Sequence, residues 1–152
     1  MATIGDFLPE NIKNEIANEN LKVGSIFRTF EHNTTPPKIK RFIVVGVSTN
    51  AVLFATVYIN TEINPRLFNT PELQSLHLPI SADGREYIDH DSHIDCSQLL
   101  ERNINDLKAI YLKDLSCHIG TVSTDDLKLI RKIIKENRTI PIKKKKDYGL
   151  FF

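Results

Sequence analysis

Residues able to do chemistry crowd into one stretch, Tyr87-Ile88-Asp89-His90-Asp91-Ser92-His93-Ile94-Asp95-Cys96-Ser97-Gln98, which holds three aspartates, two histidines, a cysteine and two serines. Zinc accepts imidazole and thiolate, and His90, His93 and Cys96 recur at every third position, with Cys117-His118 further on. That interval suits a helix or a tight knuckle. In an extended chain His90 and Cys96 point away from His93, and there is no CxxC-type pair, so neither a metal nor a cofactor is expected. Thiol catalysis would need an imidazole and a carboxylate set as a triad; no motif sets them so, and Cys96, close to Ile94, reads as an inert core thiol. As a strand, the stretch sends Asp89, Asp91, His93 and Asp95 to one face and Ile88, His90, Ser92, Ile94 and Cys96 to the other. One face is acidic and the other core-like, the pattern of a rim strand beside a site.

A second group supplies cations. Lys38, Lys40 and Arg41 stand where a proline-containing loop, His32-Asn33-Thr34-Thr35-Pro36-Pro37, runs into an apolar strand. There their cations could stand at a rim beside whatever leaves the end of the next strand, Asn60-Thr61, as a phosphate-facing corner; on composition alone a solvated strand entrance is the equal alternative. A histidine such as His32 or His77 could act as acid or base if it faced the same corner. The run Lys143 to Lys146, followed by Asp147-Tyr148-Gly149-Leu150-Phe151-Phe152, reads as a solvated basic tail with an apolar end.

These groups must be positioned by a chain of 152 residues, the size of one domain, with 41% apolar and 26% charged residues and a formal net charge of +1. No global charge points to nucleic acid. The N-terminus lacks a basic and then apolar leader, and no apolar run is long enough to span a bilayer, so a cytoplasmic protein without membrane contact is expected. Cys96 and Cys117 are expected to stay reduced. Pro9 with Leu8, Ile12 and Ile16 predicts a helix over 9–19, and residues 21–30 read as a strand. The β-branched run 40–47, the turn Ser48-Thr49-Asn50 and residues 51–59 predict an antiparallel hairpin. A loop over 60–72, a short strand over 76–80, an Asp83-Gly84 turn and the strand over 87–98 follow. A helix is predicted over 97–113, a strand over 116–122, and a helix over 124–137 capped by Ser123 with Asp125 and Asp126 in its first turn.

Taken in order, several segments resemble the MazF/PemK-like toxins, the small barrel ribonucleases of bacterial toxin-antitoxin pairs. Gly24-Ser25-Ile26-Phe27-Arg28-Thr29-Phe30 is similar to that family's opening strand, and Lys40-Arg41-Phe42-Ile43-Val44-Val45 to its next, arginine-led strand. Ser92 to Gln98 resembles the stretch entering the internal helix. Ile119-Gly120-Thr121-Val122-Ser123, with Leu127 and Ile130, is similar to the glycine-led strand and closing helix. The resemblance covers roughly residues 24–134.

What the resemblance implies is a mainly β or α+β fold: a small SH3-like (MazF/CcdB-like) antiparallel barrel with N-terminal, internal and C-terminal helices. Residues 1–20 would be a helical extension, 21–138 the barrel and 139–152 the tail; an open α+β sheet is the alternative. It further implies a homodimer, metal-independent endoribonuclease activity and inhibition by an antitoxin protein. Catalytic roles would fall on Arg41 and on the polar strand end Asn60 and Thr61, with Thr56 an alternative hydroxyl, and RNA contacts on Lys38, Lys40 and Arg41. The chain departs from the pattern where Phe42 and Tyr58 replace prolines, and in the N-terminal helix, the 62–75 loop and the lysine tail. A barrel that binds RNA or protein without cleaving is the alternative function.

Overall fold

The computed structural model of the chain describes residues 9–151. Seven strands form one antiparallel sheet: β1 (Ser25–Glu31), β2 (Lys38–Val47), β3 (Leu53–Asn60), β4 (His77–Ile80), β5 (Ser92–Asp95), β6 (Leu100–Asn103) and β7 (His118–Thr121). Their order is β4-β5-β3-β2-β1-β7, and β6 shares the outer edge of β3 with β5: Leu53 to Thr56 pair with β6, Ile59 and Asn60 with β5. The sheet curls into a half-barrel whose end strands, β4 and β7, are not paired with each other. Pro79, which has no N–H to give a neighbour, suits the edge strand β4. The helices are α1 (Glu10–Asn20), α2 (Pro71–Gln74), α3 (Ile104–Lys113), α4 (Thr124–Glu136) and α5 (Ile142–Asp147). No helix among the described residues is long and apolar enough to cross a membrane.

The predicted hairpin is present, with Ile43 opposite Val57 and Val44 opposite Thr56, and a bulge before Gly46. Strand alternation divides the core. Phe42 and Val44 join Phe27, Phe54, Leu107 and Tyr111 on the side carrying α1 and α3, while Ile43 and Val45 join Val57, Ile94, Ile130 and Ile134 on the side carrying α4. Helix α4 has the expected cap, Asp126 N–H donating to Ser123 Oγ at 3.1 Å, and the expected buried stripe. Helix α1 runs as predicted, and Leu8 lies outside the described residues.

The strand expected over 116–122 shortens to His118–Thr121 behind a 3₁₀ turn over Leu115–Cys117, and three readings change outright. The strand expected over 87–98 is confined to Ser92–Asp95, and Tyr87 to His90 is turn and bend, with Asp91 Oδ1 accepting the Ala82 N–H at 2.8 Å. The helix expected over 97–113 starts at Ile104; Leu100–Asn103 is a strand on β3, and Asn103 caps the helix by accepting the Asp106 N–H at 3.1 Å. An asparagine cap outweighs helical leucines before it. The third change is the tail: α5 packs on the barrel, Lys145, Tyr148 and Leu150 are buried, and a Cβ at Gly46 would meet the Tyr148 carbonyl oxygen at 2.7 Å. Tyr148 and Leu150 supply apolar surface that β2 needs covered.

Candidate active site

Where β2 begins and β3 ends, between the 32–37 and 61–70 loops, opens a cleft of about 1010 Å³. Register explains who meets there. Arg41 lies opposite Ile59, so Lys40 and Asn60 come next along the two strands, and the Lys40 ammonium donates to Asn60 Oδ1. Asn60 in turn lies opposite His93 on β5, and Asp95 opposite His77 on β4. Cross-strand partners share a face, so four strands deliver Lys40, Tyr58, Asn60, His93, Asp95 and His77 to one side of the sheet.

Beside the cleft, where core gives way to solvent, lies a charged network. Arg102 on β6 pairs with Glu31 at the end of β1, donates Nε–H to Thr56 Oγ1 at 3.0 Å and covers the Phe42 ring, its Cζ 3.7 Å from the ring centre. Tyr58 donates its hydroxyl to Glu31 Oε1 at 3.1 Å, and Thr29 to Glu31 Oε2 at 3.2 Å. Burial opposes the Glu31 charge, yet Arg102, Tyr58 and Thr29 outweigh it and hold the carboxyl below the ordinary glutamate range. Burial and the Glu31 charge push the Tyr58 phenol up. Lys40, its Nζ 4.9 Å from the centre of the Tyr58 ring, is lowered by burial and then by Lys38, against the pull of Asp95 and Glu31.

The sequence-predicted site residues Lys38, Lys40, Arg41, Asn60 and Thr61 all line this cleft. Lys40 and Arg41 nevertheless part company. Adjacent strand residues face opposite ways, and the Arg41 guanidinium pairs with the exposed Asp89 at 3.1 Å, with its Nε buried and unpartnered. Thr56 is fully buried, donating to Leu100 O at 2.9 Å, and stands in the network, outside the cleft. Of the two histidines, His77 lines the cleft and His32 stacks edge-on against Phe30 outside it. His90, His93 and Cys96 do not converge: Cys96 is buried in the α4-side core, with burial pushing its thiol far up, and Cys117, also free, is pushed up to about 12. Among the described residues no group of three or more His, Cys, Asp or Glu side chains is arranged to hold a metal ion.

Sequence reasoning missed Glu31 and Arg102. Arg102 was hidden by reading β6 as helix; the alternation Thr56-x-Tyr58-x-Asn60 on β3 was the available signal for the polar face. Asp95 and His93 came from the stretch read as a rim strand. Buried polar atoms without partners cost about 1–3 kcal/mol each, and several belong here: His77 Nδ1 and Nε2, His93 Nδ1 and Arg41 Nε. No protein-family model matches the chain, and no curated protein matches its sequence.

Proposed function

We propose that the chain is a metal-independent endoribonuclease of the MazF/PemK kind, its half-barrel a divergent SH3-like (MazF/CcdB-like) scaffold, acting in the cytoplasm as a homodimeric toxin held in check by an antitoxin protein. The observation that carries the reading is the convergence of Lys38, Lys40 and Arg41 with Asn60 and Thr61 on one cleft. A cleft of this volume holds a nucleotide-sized ligand, and its cations meet a phosphate.

The chemistry suits RNA. The ribose 2′-oxygen attacks the adjacent phosphorus, and the crowded anionic phosphorane is stabilised by Lys40, joined by Arg41 once its guanidinium leaves the exposed Asp89 on the other face, a pairing weak enough to exchange for phosphate, and swings round the strand entrance. Asn60, which accepts from Lys40, aims the ammonium, and Thr61 offers a hydroxyl at the cleft wall. Purified protein, freed of any bound partner and incubated in EDTA with a long mixed-sequence RNA, is expected to cut at a restricted set of sites. Arg41→Ala is expected to slow cutting about a hundredfold with folding intact. RNA left whole by the wild type would defeat the reading.

The opposite facing of Lys40 and Arg41 favours a second reading, a barrel that binds RNA or a protein partner without cleaving it. It predicts RNA retention without cut sites.

A further inference from the structure

His77 is a histidine with neither ring nitrogen in use. Its side chain is 1% exposed, Nδ1 stands 3.9 Å from Asp95 Oδ1, beyond hydrogen-bond reach, and Nε2 has no partner. The Phe68 ring closes over it edge-on, 4.2 Å between centres. A purely packing role would be met by an apolar ring of similar shape, which leaves nothing unpaired. Asp95 is itself fixed, because Oδ1 accepts the Ser97 N–H at 2.9 Å and the Ser97 hydroxyl. A small approach of the two strands' side chains brings Nδ1–H onto that carboxylate and leaves Nε2 as the free lone pair. A base oriented by a third group is the arrangement proton transfer requires.

We propose that His77 is the proton-transfer residue of this cleft, with Asp95 its positioning partner, acting on a ribose whose 3′-phosphate rests at Lys40; this deepens the ribonuclease reading and rests on it. Neutral Nε2 takes the 2′-hydroxyl proton as the O2′–P bond forms. The P–O5′ bond breaks, its electron pair stays on the 5′-oxygen, and that oxygen takes a proton from the Lys40 ammonium. Products are a 2′,3′-cyclic phosphate and a 5′-hydroxyl, and solvent carries the proton from the imidazolium back to the lysine amine. The charged and titratable groups facing His77 are Asp95 and His93 from β5, with Lys40 beyond Asp95. Burial, then His93, lowers the imidazole below the usual histidine value against Asp95, which favours the neutral base at pH 7. Phe68 follows the turn over 65–67, its N–H donating to Asn64 O at 3.0 Å, and proton transfer requires its ring to turn aside from the imidazole.

Two measurements on the full chain test this. His77→Gln is expected to slow RNA cutting about 10²–10⁴-fold and to abolish the acidic limb of the pH-rate profile. A 2′-O-methyl RNA oligonucleotide, which cannot be cut, is expected to shift the His77 ring resonances and raise its pKa in the wild type, and to fail to do so in Lys40→Ala. If the wild type and His77→Gln cut equally, the His77 assignment falls and the ribonuclease reading stands. If the wild type cuts nothing but the oligonucleotide moves the His77 ring, proton transfer and ribonuclease activity both fall and RNA binding remains. If the ring does not move at saturating oligonucleotide, the assignment falls even where His77→Gln melts too low to assay.

Discussion

The chain carries two clusters of cations, and folding treats them in opposite ways. Lys143 to Lys146 read as a solvated tail, yet Lys145 is 3% exposed and its ammonium donates to Lys135 O at 2.8 Å and Asn137 O at 2.6 Å, closing the C-terminal end of α4. Beside it Lys144 meets Glu101 at 3.0 Å, and Tyr148 donates to the same carboxylate at 2.8 Å. Lys38 to Arg41 read as a strand entrance, and there Lys40 has one neutral amide and an aromatic face, while Arg41 has one exposed carboxylate. An ammonium has three donors. Where backbone carbonyls take them the lysine is part of the fold; where they stay under-used, capacity remains for a phosphate.

The sharpest way to break that contrast is to remove one lysine from each cluster. Lys40→Ala is expected to reduce RNA cutting about 10²–10³-fold, the loss that follows removal of one preorganised transition-state contact, with the thermal midpoint nearly unchanged. Lys145→Ala is expected to do the reverse. It removes buried methylenes and the ammonium's hydrogen bonds to the Lys135 and Asn137 carbonyls, a loss of about 2–4 kcal/mol in denaturant unfolding, while cutting by the folded fraction persists. Lys143→Ala, an exposed neighbour, serves as control, with a change within about 0.5 kcal/mol. If Lys145→Ala leaves stability unchanged, the C-terminal segment is not the structural element described above.

Much of this contrast was legible in the sequence, and the rest was hidden for physical reasons. The hairpin 40–47 with 51–59, the α4 cap at Ser123 and the polar character of the 87–98 stretch follow from local rules, because turn residues, β-branched runs and caps act over a few positions. The fate of Lys145 does not. It depends on where α4 ends and on Gly46 letting the Tyr148 backbone approach β2, both long-range facts. Arg102 was lost for a related reason: Leu99-Leu100-Glu101-Arg102 has helix-forming residues, and pairing with the open edge of β3 overrides propensity. Likewise Lys40 and Arg41 were grouped by sequence adjacency, which in a strand guarantees opposite faces.

A finer test uses the acid side of the stability curve, where a half-finished site and a finished ion pair should titrate in separate windows. Asp126 belongs to the finished kind: Arg85 grips it with two bonds of 2.9 Å, tying the 81–91 loop to the first turn of α4. Arg85 holds its carboxyl below the ordinary value of 3.8 against burial, so its stabilisation is fully present above that value and is lost as pH falls through the lower folded one. Asp126→Asn is expected to lower stability at pH 7 by about 2 kcal/mol and to flatten the decline below pH 3.8. For His77 the sign is the same but the window higher. Burial lowers it from 6.5, so below that pH the unfolded chain takes a proton the folded one refuses, and stability falls. His118, lowered by burial and Lys22, adds to the same window from the α3 side. A thermal-midpoint series from pH 7.5 to 3 is therefore expected to show two declines, the upper one reduced in His77→Gln and the lower one in Asp126→Asn. An upper decline that survives His77→Gln in full and vanishes in His118→Gln would mean that the cleft imidazole gains its proton without cost, and that its unpaired nitrogens are not held away from solvent as their burial requires.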